Sequence, residues 1–367
     1  GGADNKVGGS YGGRGHDEVS VTPFASSRPC YGSILAPTDL GSGGSVAGDS
    51  GGGAILLTVS GSLTNNGLIC ADGKYTTDAS YKYDSGSGGS IYLTAGALTG
   101  TGTIRANGGV CTRDGGGGGR IALVVTNALA DFSAFTGTNS AYGASGGAGT
   151  AGGAGTIYLE KQGDIPGKGQ LIIDNYGGTT GYATTNAAIT RWFTDLSGVD
   201  AVTYEFSRIT LTNGGNLNIG SNDTLIVSNT VLVGAGGISN GIWISGGRLL
   251  APSAFVYSNL FIGISATDST FNPSTSLTIG TNAEFRVDKP HTLTGDVLVD
   301  AGGNLTHTAN GNTEAYKINL TLGGALTVRP GGSVDVTGKG FTRGNGPGGG
   351  GADNKVGGSY GGRGHDE

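Results

Sequence analysis

The strings ITLTNGGNL at residues 209–217, VLVDAGGNL at 297–305 and INLTLGGAL at 318–326 share one internal spacing. Each is a short alternating run, a glycine corner and a second short run. Alternation with period two puts Ile209 and Leu211 on one face of a strand and Thr210 on the other. The pairs Val231/Val233, Phe255/Tyr257 and Leu277/Ile279 continue the pattern, so the first members fall at 209, 231, 255, 277, 297 and 318. Steps of 20 to 24 residues, with about three short strands per turn, are the coil length of a parallel β-helix. Glycine suits the corners because the chain must take positive φ there without a Cβ clash. A hairpin sandwich would also show short strands and glycine turns, but would not repeat one pattern at one interval. The expected fold is therefore all-β, a parallel β-helix (β-solenoid) with coils of about 22 residues. Its interior ladder runs through Ile209, Val231, Leu277, Val297 and Ile318.

The first half carries the same grammar with longer interruptions. The strands at 54–57, 61–63 and 69–71 recur about 35 residues on, matching Leu63 to Leu98, Ile69 to Ile104 and Ala71 to Ala106. Ile121/Leu123 and Ile157/Leu159 open two more coils, and Leu171 to Ile173 resembles a closing strand. The Gly/Ser/Tyr tracts between them, such as 74–89 and 137–155, read as loops extruded from one corner. The chain divides into a glycine-loop half (19–175), a poorly patterned linking excursion with Trp192 (176–205) and a regular half (206–340).

Residues 350–367 (GGADNKVGGSYGGRGHDE) repeat residues 1–18 without a difference. Self-similarity at a long, fixed interval is the mark of a repeat architecture, and implies a tandem period of 349 residues bounded by glycine-rich junctions at 1–18 and 341–367. The strands on either side of the junction, Ile55/Leu57 and Val334/Val336, are of one kind, and no polar cap interrupts them.

Glycine reaches 78 of 367 residues without the three-residue period of collagen, while hydrophobic residues at 36% allow a packed core. A net charge of −6 with 13% charged residues lacks the basic footprint of a nucleic-acid binder. No apolar run is long enough to span a membrane. Cys30, Cys70 and Cys111 have neither CxxC spacing nor nearby histidines, which argues against zinc. Cys70 and Cys111 follow comparable strands, so a 70–111 disulfide is one expectation and buried free thiols the other. Asn222, Asn304 and Asn319 head N-x-[ST] sequons.

The stretch GSILAPTDLGSGG at 32–44, with GGSIYL at 88–93, GTIRANG at 102–108, GGGGRIAL at 116–123 and GTIYL at 155–159, resembles the glycine-rich repeats of very large bacterial surface proteins. Tyr31 opens the first of these units. The resemblance covers residues 1 to about 160, and implies a cell-surface or secreted structural role with no reaction attached.

Several motifs invite chemistry. Gly48 to Gly52 (GDSGG) matches the tract around a serine-protease nucleophile, but that reaction needs a histidine base held by a buried carboxylate. Only His16 lies upstream, in a glycine tract. Gly143 to Gly147 (GASGG) fits a nucleophile elbow without its strand–turn–helix context. Gly12 to Ser20 fits one calcium-binding nonapeptide, with Asp17 as candidate ligand aided by Asp4 or Glu18; a single copy supplies part of a shell, so a solvated loop is the plainer reading. β-Helix lyases and hydrolases need carboxylates gathered on neighbouring coils. The nearest approach here is Asp296, Asp300, His291 and His307. Tyr75, Tyr81, Tyr83 and Tyr142 are candidates for stacking on glycans, or for packing loop on loop. The expected function is a structural repeat of an extracellular filament whose partner is itself. Adhesin or glycan-binding module is the alternative, and polysaccharide enzyme the third. No catalytic residue or cofactor is assigned.

Overall fold

The structure, a computed structural model, describes residues 7–16, 29–45, 49–74, 85–111, 114–144, 151–175, 193–196, 202–235, 239–349 and 357–364. Among these residues there is no helix, and the strands form six sheets whose neighbours are nearly all parallel. Each parallel pair joins strands 20 to 38 residues apart, as Ile242 with Ile262 and Leu171 with Ile209.

Two ladders show why the sequence folds this way. Ile55, Ile91, Ile121 and Ile157 stand in one row, with Leu57, Leu93, Leu123 and Leu159 in the next. In the second half Phe255, Leu277, Val297 and Leu326 are in register, beside Tyr257, Ile279, Val299 and Val328. A third row runs Leu217, Ile242, Ile262, Phe285, Leu305, Val334. Each fully buried member contributes about 1.5–3 kcal/mol of hydrophobic transfer. The corners preceding this row sit at positive φ in Asn259, Asn282 and Gly302 (φ 77°). Asn substitutes for glycine because its short side chain tolerates that region.

The expected ladder holds at Ile209, Leu277 and Val297, all buried, and fails at two positions. Val231 is 53% exposed. Ile209 pairs with Leu232, so the step is one residue longer than the pattern suggested, and a one-residue slip turns a side chain to the opposite face. Ile318 is half-buried ahead of the strand Leu320–Leu322, which pairs with His291–Leu293. Leu326 instead lies beside Val297, because residues 307–319 lengthen that turn.

The two halves meet at one antiparallel pair. The strand Thr156–Lys161 ends in two tight turns, closed by Asp164 N–H on the Lys161 carbonyl at 2.9 Å and Lys168 N–H on the Ile165 carbonyl at 2.8 Å. The chain returns as Gln170–Asp174, setting Ile157 opposite Ile172 and Tyr158 opposite Leu171. Opposed residues of an antiparallel pair point to the same face. Ile157 belongs to the core built on Ile91, Ile104 and Ile121, whereas Tyr158 and Leu171 belong to the core of Ile209, Leu217 and Ile242. The seven-stranded sheet therefore has one core on one face before the seam and the other core on the opposite face after it. Gln170–Asp174 is already part of the second stack, as are Thr194–Asp195 and Thr203–Glu205, so the change of core falls at 162–169. Trp192 lies outside the described residues.

Where they are described, the glycine tracts are packed and not extruded, while residues 75–84 and 145–150 of the expected loops lie outside the described residues. The stretches 8–13, 85–89, 115–119 and 152–155 are buried. Successive amides of one tract reach different neighbours: Gly117 N–H to Gly9, Gly118 to Gly153 and Gly119 to Ala106, at 2.7–2.9 Å. Ser87, Gly88 and Gly89 likewise donate to Ser42, Gly117 and Ala71. Gly152 and Gly155, three apart, return to the same segment at Ala144 and Ala141. That threefold rotation is the habit of an extended left-handed helix with three residues per turn. The tracts form a bundle held by main-chain hydrogen bonds, and glycine is required for close approach. A Cβ on Gly117 would come within 3 Å of the Gly13 carbonyl oxygen, and one on Gly118 would meet that of Ala141.

Candidate functional site: two open edges and a buried glycine segment

Inward-facing residues lose their cover at both limits of the stack. At one limit, among the described residues, the strand Ala54–Thr64 borders only Ser90–Thr99, and Leu57, in the row of Leu93, Leu123 and Leu159, is 38% exposed. Leu68–Cys70 is the outermost strand of its own sheet. At the other limit Leu326–Val328 and Ser333–Val334 are outermost. Leu326, Val328 and Val334 continue the rows of Val297, Val299 and Leu305, yet all three are exposed, as is Val336. Among the described residues both surfaces carry unpaired strand edges beside exposed apolar side chains, a template for adding strands.

The segment 7–16 packs inside the glycine bundle. Tyr11 is fully buried; its hydroxyl lies 2.6 Å from Ser90 Oγ, and its ring sits 4.8 Å from that of Tyr31. The buried guanidinium of Arg120 lies 5.8 Å from the Tyr11 ring centroid and donates to the Tyr31 carbonyl at 2.9 Å. Arg14 donates to both carboxylate oxygens of Asp195, and His16 Nδ1 lies 2.5 Å from Asp114. The described residues 7–16 thus touch both the glycine bundle and, through Asp195, the first strands of the second stack.

The other sequence candidates disperse. His291 Nε2 meets the Phe271 carbonyl at 2.6 Å, and burial holds its pKa below the ordinary value. His307 Nδ1 meets the Thr308 carbonyl, Asp296 accepts from Ala325 N–H, and Asp300 from Ala301 N–H and Arg329. Each serves a different backbone partner. His291 also lines a shallow groove of about 370 Å³ with Asn272, Asn319 and Thr321. No group of three or more His, Cys, Asp or Glu placed to hold a metal occurs among the described residues. Asp17, Asp4, Glu18, Tyr75, Tyr81, Tyr83, Gly48 and Ser145 lie outside the described residues.

Cys70 and Cys111 are not bridged, and Cys30 is also a free thiol. Cys70 pairs in register with Arg105 and is exposed, while Cys111 is buried, so equivalent places along the sequence became different environments. Burial pushes the Cys30 thiol pKa upward.

A polar cluster escaped the sequence reading. Glu284 and Arg286 alternate on the strand Ala283–Val287, and Asp288 follows directly after it; Glu284 and Arg286 pair at 2.6 Å, and Arg286 lies 3.9 Å from the Phe261 ring centroid. Asp288 accepts from Thr308 N–H and Oγ1, both at 2.7 Å, and burial raises its pKa. Lys339, its pKa lowered by burial, donates to Thr306 Oγ1. The i, i+2, i+4 spacing was the available signal.

No family model, curated protein or solved structure matches this chain. Among the described residues no helix is long and apolar enough to cross a membrane.

Proposed function

We propose that this chain is the structural unit of an extracellular filament, a β-solenoid of the kind found in glycine-rich bacterial surface repeats, and that copies add end to end. The observation that carries the reading is the pair of open edges. Leu326, Val328 and Val334 continue buried rows yet stand exposed on the outermost described strands at one limit, as Leu57 does at the other. Strand addition would pair the free main-chain groups and bury these side chains in one step. The test is electron microscopy and sedimentation of wild type against Val328→Lys/Val334→Lys. Filaments or concentration-dependent oligomers in the wild type, lost in the lysine variant, support the reading. A wild type that stays monomeric at high concentration overturns it.

A further inference from the structure

The two copies of the repeated segment have the same local shape and opposite surroundings. Tyr11 to Gly13 form a bend closed by Gly15 N–H on Ser10 Oγ at 2.9 Å. Tyr360 to Gly362 form the same bend, closed by Gly364 N–H on Ser359 Oγ at 2.7 Å. Tyr11 is 0% exposed, whereas Tyr360 is 108% exposed, with Arg363 exposed beside it. The second copy is folded as the first is, without the walls that make the first a buried element.

Those walls are specific. They comprise Ser90 for the tyrosine hydroxyl, Arg120 over the ring, Asp195 for the guanidinium, and the main chain of Ser85, Gly115 and Gly118 for the peptide groups. A Cβ on Gly12 or Gly13 would strike the Gly119 or Gly153 carbonyl, so the seat admits a Gly-Gly step and little else. Gly361-Gly362 supplies that step, and Tyr360 and Arg363 match the two anchoring side chains.

We infer that residues 357–364 are a plug for this seat in a second copy of the chain, whether or not the copies are covalently joined. The plug enters already bent, which lowers the ordering cost of binding. It deepens the self-assembly reading but uses a different surface from the strand edges. Within one chain, residues 7–16 fill the seat, so a plug from another copy enters when that occupant is weakened or displaced.

The experiment compares full-length chains by sedimentation velocity. Tyr11→Ala/Arg14→Ala weakens the resident occupant and leaves the plug intact; adding Tyr360→Ala/Arg363→Ala blunts the plug as well. The first variant is expected to associate about tenfold or more tightly than the second, the scale set by losing a tyrosine and an arginine anchor. A synthetic peptide of residues 350–367 should return the first variant to monomer. Tyr11→Phe, which removes only the hydroxyl bonded to Ser90, gives the same comparison with and without Tyr360→Phe if the alanine pair does not fold. Equal association with intact and blunted plugs overturns the inference. Association that survives plug blunting but not Val328→Lys/Val334→Lys leaves the edge reading standing and removes the plug.

Discussion

Arg14 and Asp195 form a two-pronged ion pair, Nε to Oδ2 at 2.7 Å and Nη2 to Oδ1 at 2.9 Å, with both side chains nearly sealed from solvent. Asp195 also accepts from Cys30 N–H at 3.0 Å and Asn218 Nδ2 at 2.8 Å. One carboxylate thus ties the glycine bundle to the first strands of the second stack. Removing one partner of such a pair strands a buried charge. Asp195→Ala should cost about 3–5 kcal/mol, read by chemical denaturation. A loss below about 1 kcal/mol would show that the pair is solvated.

Glycine position should matter more than glycine number. Gly117→Ala places a methyl against the Gly13 carbonyl and should cost at least about 1–3 kcal/mol. Gly53→Ala and Gly61→Ala meet nothing within 4 Å and should change stability by about 0.5 kcal/mol or less. Equal effects at all three would contradict the packed bundle.

The register separates two valines that the sequence pattern treats alike. Val297→Asp buries an unpaired charge and should cost about 3–5 kcal/mol. Val231→Asp, at an exposed position, should stay within about 0.5 kcal/mol. Thermal melts of the two variants side by side decide it.

Thiol chemistry should follow burial. Brief alkylation of the native protein is expected to modify Cys70 and spare Cys30 and Cys111, with all three reacting after unfolding. Peptide mass spectrometry reads the outcome, and a 70–111 crosslink in unreduced digests would refute it.

Asp288 supplies a pH signature. Its pKa is higher folded than unfolded, so the native state holds the proton more tightly. The stability it contributes is full below the ordinary carboxyl range and declines as pH rises through the raised value. Relative to Asp288→Asn, wild type should lose melting temperature on going from acid toward neutrality. A difference that is flat with pH, or grows in the opposite sense, would mean the carboxylate is ionised without penalty.

Much of the fold was legible because parallel pairing at a near-constant interval writes itself into spacing. Leu63 with Leu98 and Ile69 with Ile104 pair as their spacing suggested, and so do Leu277 and Val297. Val231 and Ile318 were misplaced because a turn of variable length shifts register without disturbing the alternating pattern. The glycine bundle stayed hidden for a different reason. Its cohesion lies in main-chain groups that every residue possesses, so composition alone cannot separate it from a flexible loop. The seam was equally silent, since Leu171 to Ile173 alternates in the same way whichever direction it runs.

That seam also constrains how copies would succeed one another. Before it, the core lies on one side of the shared sheet and the strands run one way; after it, both are reversed. The two reversals come together at the one antiparallel pair. A following copy that lays its first core over the preceding copy's last core must undo both changes at once, and only a half-turn about the long axis does so. Under the proposed end-to-end addition, the assembly would then be a twofold screw whose true repeat is two chains long.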